Sequence, residues 1–149
     1  MKKITILFCI ASLFSVSAYS QILKPVTWSY AAKKTSATEA TVYIKAVIDE
    51  GWHLYSQTVK DGGPVKTTFA FPASKTYTLV GKTIEPKPIT KFESTFKMDV
   101  SYFQNSVVFQ QKVKLNGKNV AVKGSVEFMV CNDKQCLPPE TVEFSIPVK

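Results

Sequence analysis

Residues 41–48 read TVYIKAVI and predict a β-strand with one buried face. The apolar residues Val42, Ile44, Ala46 and Ile48 occupy every second position, which places them on the same side of an extended chain. Residues 120–130, VAVKGSVEFMV, repeat this period of two. Because helical periodicity is nearly absent from the rest of the sequence, these patterns predict an all-β protein.

Strand-like segments recur along the chain, separated by residues that favour turns. Residues 91–99 are polar with spaced aromatic side chains and predict a loop, whereas Asn116-Gly117 is typical of a tight hairpin turn joining residues 107–115 to 120–130. Seven to nine short strands at this spacing indicate an immunoglobulin-like β-sandwich of two antiparallel sheets, with a small barrel as the alternative. The further strands are expected at residues 26–32, 52–57, 67–71, 77–84 and 141–148.

Residues 1–20 have the features of a secretory signal peptide. Two lysines precede an apolar run, residues 4–16, and small residues fit the −3 and −1 positions of a cleavage site. The run is short for a spanning helix, so a retained membrane anchor is the weaker alternative. We expect a periplasmic or otherwise exported protein that is soluble after cleavage, with residues 21–149 as one domain and Cys9 removed with the signal.

The formal net charge is +8, and removal of the two signal-peptide lysines lowers it to about +6. All 19 basic residues are lysines spread along the chain. Base-reading proteins depend on bidentate arginine contacts, and this sequence contains no arginine. The charge therefore predicts a solvated basic surface and no nucleic-acid partner.

Two cysteines remain after signal removal, Cys131 and Cys136, with the turn-forming sequence NDKQ between them. A four-residue hairpin loop would place them opposite each other on antiparallel strands, roughly 4.5–5.5 Å apart at Cα, where a disulfide can form. In an oxidising compartment the two are expected to pair. So short a loop contributes only about 2 kcal/mol in the chain-entropy model. Geometry alone leaves open whether the disulfide is a structural bridge or a redox couple.

The residues around Cys136 bear on its accessibility and reactivity. Leu137-Pro138-Pro139 follows it, and two prolines without N–H groups should leave this cysteine beside an irregular, accessible edge. Lys134 is the single nearby cation and Asp133 opposes it, so the sequence indicates no strongly activated thiolate. We therefore expect a carrier driven by the potentials of its partners.

Other chemistries have weaker support in the sequence. A thioredoxin fold needs two residues between its cysteines, and zinc needs four ligands where Cys131, Cys136 and His53 supply at most three. Copper could use His53 with Met98 or Met129, although such residues more often pack in the interior. No grouping of nucleophile, base or paired acids indicates hydrolysis. We expect no metal and no cofactor.

Three segments resemble one known family. Residues 128–148, FMVCNDKQCLPPETVEFSIPV, resemble the final hairpin of the N-terminal periplasmic domain of the thiol:disulfide interchange protein DsbD. Residues 51–57, GWHLYSQ, and 92–113, FESTFKMDVSYFQNSVVFQQKV, are similar to further stretches of that family in the same order. The best-known members have five residues between the cysteines, whereas this sequence has four.

The resemblance implies an immunoglobulin-like fold and a redox function. In that family the domain takes electrons from a thioredoxin-like domain and reduces periplasmic disulfide partners, including those that serve cytochrome c biogenesis. Cys136 would exchange with partners and Cys131 would resolve the mixed disulfide. Other residues would line the site, namely Tyr55 and His53, or form a cap over it, namely Glu93 and the lid candidates Phe96 and Phe92.

Family members usually continue into a membrane domain and a thioredoxin-like domain, whereas this sequence ends at Lys149. We therefore expect the electron source to be a separate protein, with a separate membrane electron transporter as one candidate. The alternative from another class is a non-catalytic exported β-sandwich that binds a partner and uses the disulfide to rigidify its hairpin.

Overall fold

The computed structural model describes residues 23–149, and this range contains β-strands but no helix. None of these residues therefore belongs to a helix long and apolar enough to cross a membrane. The predicted signal peptide, residues 1–20, lies outside the described residues. The strands are β1 (Val26–Lys34), β2 (Glu39–Ile48), β3 (His53–Tyr55), β4 (Thr68–Ala70), β5 (Tyr77–Ile84), β6 (Ile89–Glu93), β7 (Met98–Phe103), β8 (Ser106–Leu115), β9 (Ala121–Phe128), β10 (Val130–Cys131) and β11 (Glu140–Pro147).

The strands pair into three antiparallel sheets, with orders β1-β2-β8-β5, β11-β9-β4 and β10-β3-β7-β6. The second and third sheets are linked through β9 and β10, which Met129 separates. Apolar side chains from all three sheets meet in one core, including Ile44, Val126 and Leu54. The predicted all-β sandwich is therefore confirmed, with one of its two layers divided into two hydrogen-bonded sheets.

Strand β2 shows how the period of two builds this core. Val42, Ile44 and Ala46 are completely buried, while Lys45 and Val47 on the other face are exposed. Full burial of a valine or isoleucine side chain contributes roughly 1.5–3 kcal/mol of burial free energy. Trp28 of β1 closes one end of the same core by an edge-on contact with Phe128, 5.2 Å between ring centroids.

The predicted hairpin between residues 107–115 and 120–130 does not form. Strand β8 pairs with β2 and β5, and β9 pairs with β11 and β4 in the opposite layer. The backbone N–H of Asn116 donates to Thr76 O at 2.9 Å, so the end of β8 stays with β5. Each strand has one apolar face, and placing them in opposite layers lets both faces meet the same core. A tight type I′ turn needs positive φ at both central residues, whereas here the positive φ of 56° falls at Asn119.

The predicted loop at residues 91–99 is mostly a β-hairpin. Strands β6 and β7 pair from Ile89 opposite Tyr102 to Glu93 opposite Met98, and only residues 94–97 form the turn. Strand β6 lies at a sheet edge and is largely exposed on both faces, so its sequence carries no alternation to reveal it. The predicted strand at residues 52–57 is likewise shorter, since β3 covers only His53–Tyr55.

A bulge in β5 changes the path of this strand near the third sheet. Pairing with β8 is interrupted between Val80 and Ile84, and Gly81 adopts a φ of +69°. Gln111 is almost fully buried, donates to the carbonyls of Val80 and Gly81 at 3.3 Å, and accepts from the Thr83 hydroxyl at 2.9 Å. These bonds satisfy a polar group inside the core and fix the bulge, after which the chain reaches Glu85.

Candidate redox site

A disulfide joins Cys131 and Cys136 at the edge of the sheet β10-β3-β7-β6. The two residues form an antiparallel bridge with their Cα atoms 4.0 Å apart. Between them the backbone N–H of Asn132 donates to Gln135 O at 2.9 Å, and Asn132 Oδ1 accepts from the N–H groups of Lys134 and Gln135. The local turn chemistry of NDKQ thus brings the cysteines together.

The two cysteines differ sharply in exposure. Cys131 is 5 % exposed, whereas Cys136 is an exposed residue. Leu137 N–H still donates to Val130 O at 2.9 Å, but Pro138 and Pro139 carry no N–H group, and strand pairing resumes only at Glu140. A second protein can therefore approach the sulfur of Cys136 more easily than that of Cys131.

The strand register places several side chains on the same face of the sheet as Cys131. Cys131 pairs with His53 and Tyr55 pairs with Tyr102, while the intervening Leu54 points into the main core. We call the side formed by His53, Tyr55, Tyr102 and Cys131 the cysteine face. On it the His53 and Tyr102 rings stack at 4.4 Å between centroids, and His53 Nε2 lies 2.7 Å from Gln104 Nε2.

A small apolar cluster, separate from the main core, surrounds the buried cysteine. It is formed by Tyr55, Val59, Val100, Tyr102 and Cys131, with Phe96, Met98 and Met129 packed against it. Met98 and Met129, which the sequence analysis considered as copper ligands, therefore pack against this apolar cluster. Within residues 23–149, no three His, Cys, Asp or Glu side chains are grouped as metal ligands.

The β6–β7 turn separates the two aromatic lid candidates. Phe96 lies in the turn and packs against the cluster around Cys131. Phe92 pairs with Asp99, one position out of step with Met98 and Val100, so its side chain lies on the opposite side of the sheet and is 61 % exposed. The register therefore does not support a place for Phe92 in the cap, and Phe96, which packs against the cluster, remains the lid candidate.

Glu93 pairs with Met98, which lies on the same face of β7 as Tyr102. Glu93 is therefore on the same side of the sheet as Cys131. Burial raises the pKa of Tyr55 to about 12, with the Glu93 carboxylate and then Tyr102 adding to the increase. A negative charge nearby disfavours the tyrosinate anion. The Tyr55 hydroxyl consequently remains protonated at neutral pH.

Tyr102, Val59 and Val100 belong to the site but were missed in the sequence. Met98, Val100 and Tyr102 alternate in β7, and this period of two is the signal that could have revealed them. This alternation was not recognised because residues 91–99 were predicted to form a loop. The structure places His53, Tyr55 and Cys131 on one face of the sheet, with Cys136 bonded to Cys131.

The family model described as "Thiol:disulfide interchange protein DsbD, N-terminal" matches residues 20–147. Comparison with curated protein sequences gives no match.

Solved structures show the same fold at low sequence identity. The N-terminal periplasmic domain of ScsB from Proteus mirabilis matches with a TM-score of 0.59 and 16 % identity, over 85 % of this chain and 47 % of that chain. The DsbD N-terminal domain of Neisseria meningitidis in the reduced form matches with a TM-score of 0.54 and 14 % identity, over 80 % and 84 %. A complex between the DsbD and PilB N-terminal domains of N. meningitidis matches with a TM-score of 0.55 and 14 % identity, over 84 % and 87 %.

This chain therefore spans about half of the ScsB chain and most of the two Neisseria chains. At these identities the structural matches show the fold, an immunoglobulin-like β-sandwich. Because the family model covers nearly the whole chain, the chain belongs to the family of the N-terminal domain of the thiol:disulfide interchange protein DsbD.

Proposed function

We propose that this protein is an exported thiol:disulfide interchange domain in which Cys131 and Cys136 relay electrons between a thioredoxin-like donor and periplasmic disulfide partners. The observation that carries the proposal is the unequal exposure of the two cysteines in a domain of this family. An exposed sulfur can meet a partner, and a buried one beside it can complete the exchange. Export rests on the signal-peptide pattern of residues 1–20.

The domain is reduced in two steps. A donor thiolate attacks Cys136 Sγ, a bond forms between the donor sulfur and Cys136, the bond to Cys131 breaks, and Cys131 leaves as a thiolate that takes up a proton. The second donor thiolate then attacks the donor sulfur of this mixed disulfide and releases Cys136. The donor is oxidised to a disulfide and the domain gains two electrons.

Delivery of the electrons reverses the roles. The Cys136 thiolate attacks a partner disulfide and forms a mixed disulfide, and Cys131 then attacks Cys136 Sγ and releases the reduced partner. The two cysteines face each other in an antiparallel bridge, so Cys131 can reach Cys136 without displacement of the strand. Burial of Cys131 limits its reaction with other thiols and disulfides.

The rest of the cysteine face would govern access. Phe96 packs against the cluster that contains Cys131 and is proposed as a lid that a partner displaces. Tyr55 and His53 line the sheet around the disulfide, and the neutral Tyr55 hydroxyl adds no charge at the sulfur.

Similar proteins support this use of the fold. A DsbD N-terminal domain has been solved in the reduced form, and another has been solved in complex with the PilB N-terminal domain. We extend both properties to this chain, so that it has a stable dithiol state and a partner domain that docks at Cys136.

Trapping of a mixed disulfide tests the proposal. The probe is a thioredoxin whose second active-site cysteine is replaced by serine, activated as a mixed disulfide with a coloured leaving group. Cys131→Ser leaves Cys136 free and should form a covalent complex, visible by intact-mass spectrometry, while Cys136→Ser should form little. If Cys136→Ser formed the complex as fast as Cys131→Ser, the assigned roles would be wrong.

A further inference from the structure

Glu85 joins two parts of the molecule through its carboxylate. It follows the end of β5 and accepts hydrogen bonds from the Ser56 hydroxyl, from the Gln57 backbone N–H at 3.0 Å and from Gln57 Nε2 at 3.4 Å. Ser56 is completely buried and directly follows Tyr55. The donors are 28 or 29 positions away from Glu85 in the sequence. Hydrogen bonds to a carboxylate are stronger than those between neutral groups, so these contacts fix the end of β5 against the end of β3.

Next to the cysteine face, the Glu85 contacts add to other hydrogen bonds that fix the end of β3. Ser56 N–H donates to Ser101 O of β7 at 2.9 Å, and the Thr67 hydroxyl donates to Tyr55 O. Ser56 Oγ also accepts from Thr58 N–H at 3.0 Å. The Glu85 contacts therefore hold the chain immediately after Tyr55, whose ring packs in the cluster with Cys131.

On the other side, Glu85 stands at the base of the hairpin that carries Phe96. Pro86-Lys87-Pro88 follows it and leads into β6, whose far end is the turn at residues 94–97. Each proline fixes its φ near −65°, so this connection has little freedom to absorb movement. The position of Glu85 thus sets where the β6–β7 hairpin starts relative to β3.

We infer that Glu85 is a positioning residue that fixes the base of the β6–β7 hairpin relative to β3 and so keeps Phe96 packed against the cluster that contains Cys131. Loss of its hydrogen bonds frees the base of the hairpin, and the disulfide becomes more accessible. The role of Glu85 in redox exchange rests on the proposed function. The accessibility of the disulfide can nevertheless be measured without any partner protein.

The test is the rate at which dithiothreitol reduces the disulfide of the folded domain. Glu85→Ala should raise this rate about fivefold, the order expected from loss of charge-assisted bonds in a locally opening segment. Glu85→Gln should stay within about twofold of wild type, because an amide can accept from Gln57 N–H and donate to Ser56 Oγ. If Glu85→Ala is too unstable to study, Ser56→Ala removes one of the hydrogen bonds to Glu85 and should give a smaller increase in the reduction rate.

Tyr77→Phe is the matched control. Tyr77 begins β5, and its hydroxyl donates to Lys123 O at 3.1 Å and accepts from Lys123 N–H at 3.3 Å. Loss of this hydroxyl therefore removes hydrogen bonds between the two layers, made by the same strand but away from the cysteine face. Its reduction rate should match wild type. Equal acceleration in Tyr77→Phe and Glu85→Ala, a wild-type rate in Glu85→Ala, or equal rates in Glu85→Gln and Glu85→Ala would overturn the inference. Failure of wild type to exchange with thioredoxin-like proteins would instead count against the proposed function and leave this comparison intact.

Discussion

Cys131 and Cys136 lie opposite each other in an antiparallel pair with Cα atoms 4.0 Å apart, yet only Cys131 is buried. The difference follows from their surroundings. Cys131 belongs to β10 and packs among Tyr55, Val100 and Tyr102, whereas Cys136 is followed by a segment that cannot pair as a regular strand. In such a pair the exposed Cys136 can form the mixed disulfide with a partner, and the buried Cys131 can resolve it.

Alkylation of the reduced domain should show directly that Cys136 is more accessible than Cys131. We expect iodoacetamide to modify Cys136 at least about tenfold faster than Cys131, because reaction follows thiolate exposure. Peptide mass spectrometry after timed quenching measures both rates, and the same reaction in guanidinium chloride is the control in which the rates should converge. Similar rates in the folded domain would show that burial of Cys131 does not persist in the dithiol state.

The two phenylalanines of the β6–β7 hairpin offer a matched pair of substitutions. Phe96→Ala should raise the rate of disulfide reduction by dithiothreitol about three- to tenfold, because it removes the aromatic side chain that packs against the cluster containing Cys131. Phe92→Ala, on the opposite side of the sheet and 61 % exposed, should leave the rate unchanged. An increase for Phe92→Ala alone would reverse the assignment of the lid.

The choice between Phe92 and Phe96 illustrates what the sequence could and could not provide. The cysteine hairpin was predictable because Asn132 and its neighbours form a local turn. The side of the sheet on which Phe92 lies depends on the register of β6 against β7, and an exposed edge strand carries no apolar period that reports it.

The same limit applies to the core strands. Alternation in β2 and β9 correctly identified which side chains are buried, such as Val42 and Val126. It could not show that β8 and β9 belong to opposite layers, because a buried face has the same pattern in either sheet. The hydrogen bonds of Glu85 are also invisible in the sequence, since they join residues 28 or 29 positions apart through a bulge.

Removal of the Glu93 charge should lower the pKa of Tyr55. Burial is the larger cause of the value of about 12, so Glu93→Gln should leave the pKa above 10 but below that of wild type. Ultraviolet absorbance titration near 295 nm measures it, with Tyr55→Phe identifying the contribution of Tyr55. An unchanged titration would place Glu93 too far from the Tyr55 hydroxyl to act on it.

The same shift predicts a dependence of stability on pH. The folded state holds the Tyr55 proton more tightly than the unfolded chain, whose tyrosine titrates near 10. The stabilisation is therefore complete below pH 10 and is lost as pH rises from 10 towards 12, and Tyr55→Phe should lose less stability over that interval.

Gly124 in β9 tests the packing of the sandwich. A Cβ atom there would lie 2.7 Å from Ala70 O and 2.7 Å from Phe144 Cζ, so Gly124→Ala should destabilise the fold by about 1–3 kcal/mol. Gly117→Ala is the control, because nothing lies within 4 Å of its Cβ position. Urea unfolding of both variants measures the difference, and equal midpoints would mean that β4 and β11 adjust freely around β9.

The reduction potential of the Cys131–Cys136 pair tests the central claim most directly. It is measured by equilibrating the domain with glutathione or thioredoxin buffers and counting the alkylated thiols by mass spectrometry. A working redox couple should lie in the range of its exchange partners, between about −270 and −120 mV, whereas a structural bridge lies below about −300 mV. A value in the first range would support electron relay through Cys136, and a value below −300 mV would show that the disulfide only stabilises its hairpin.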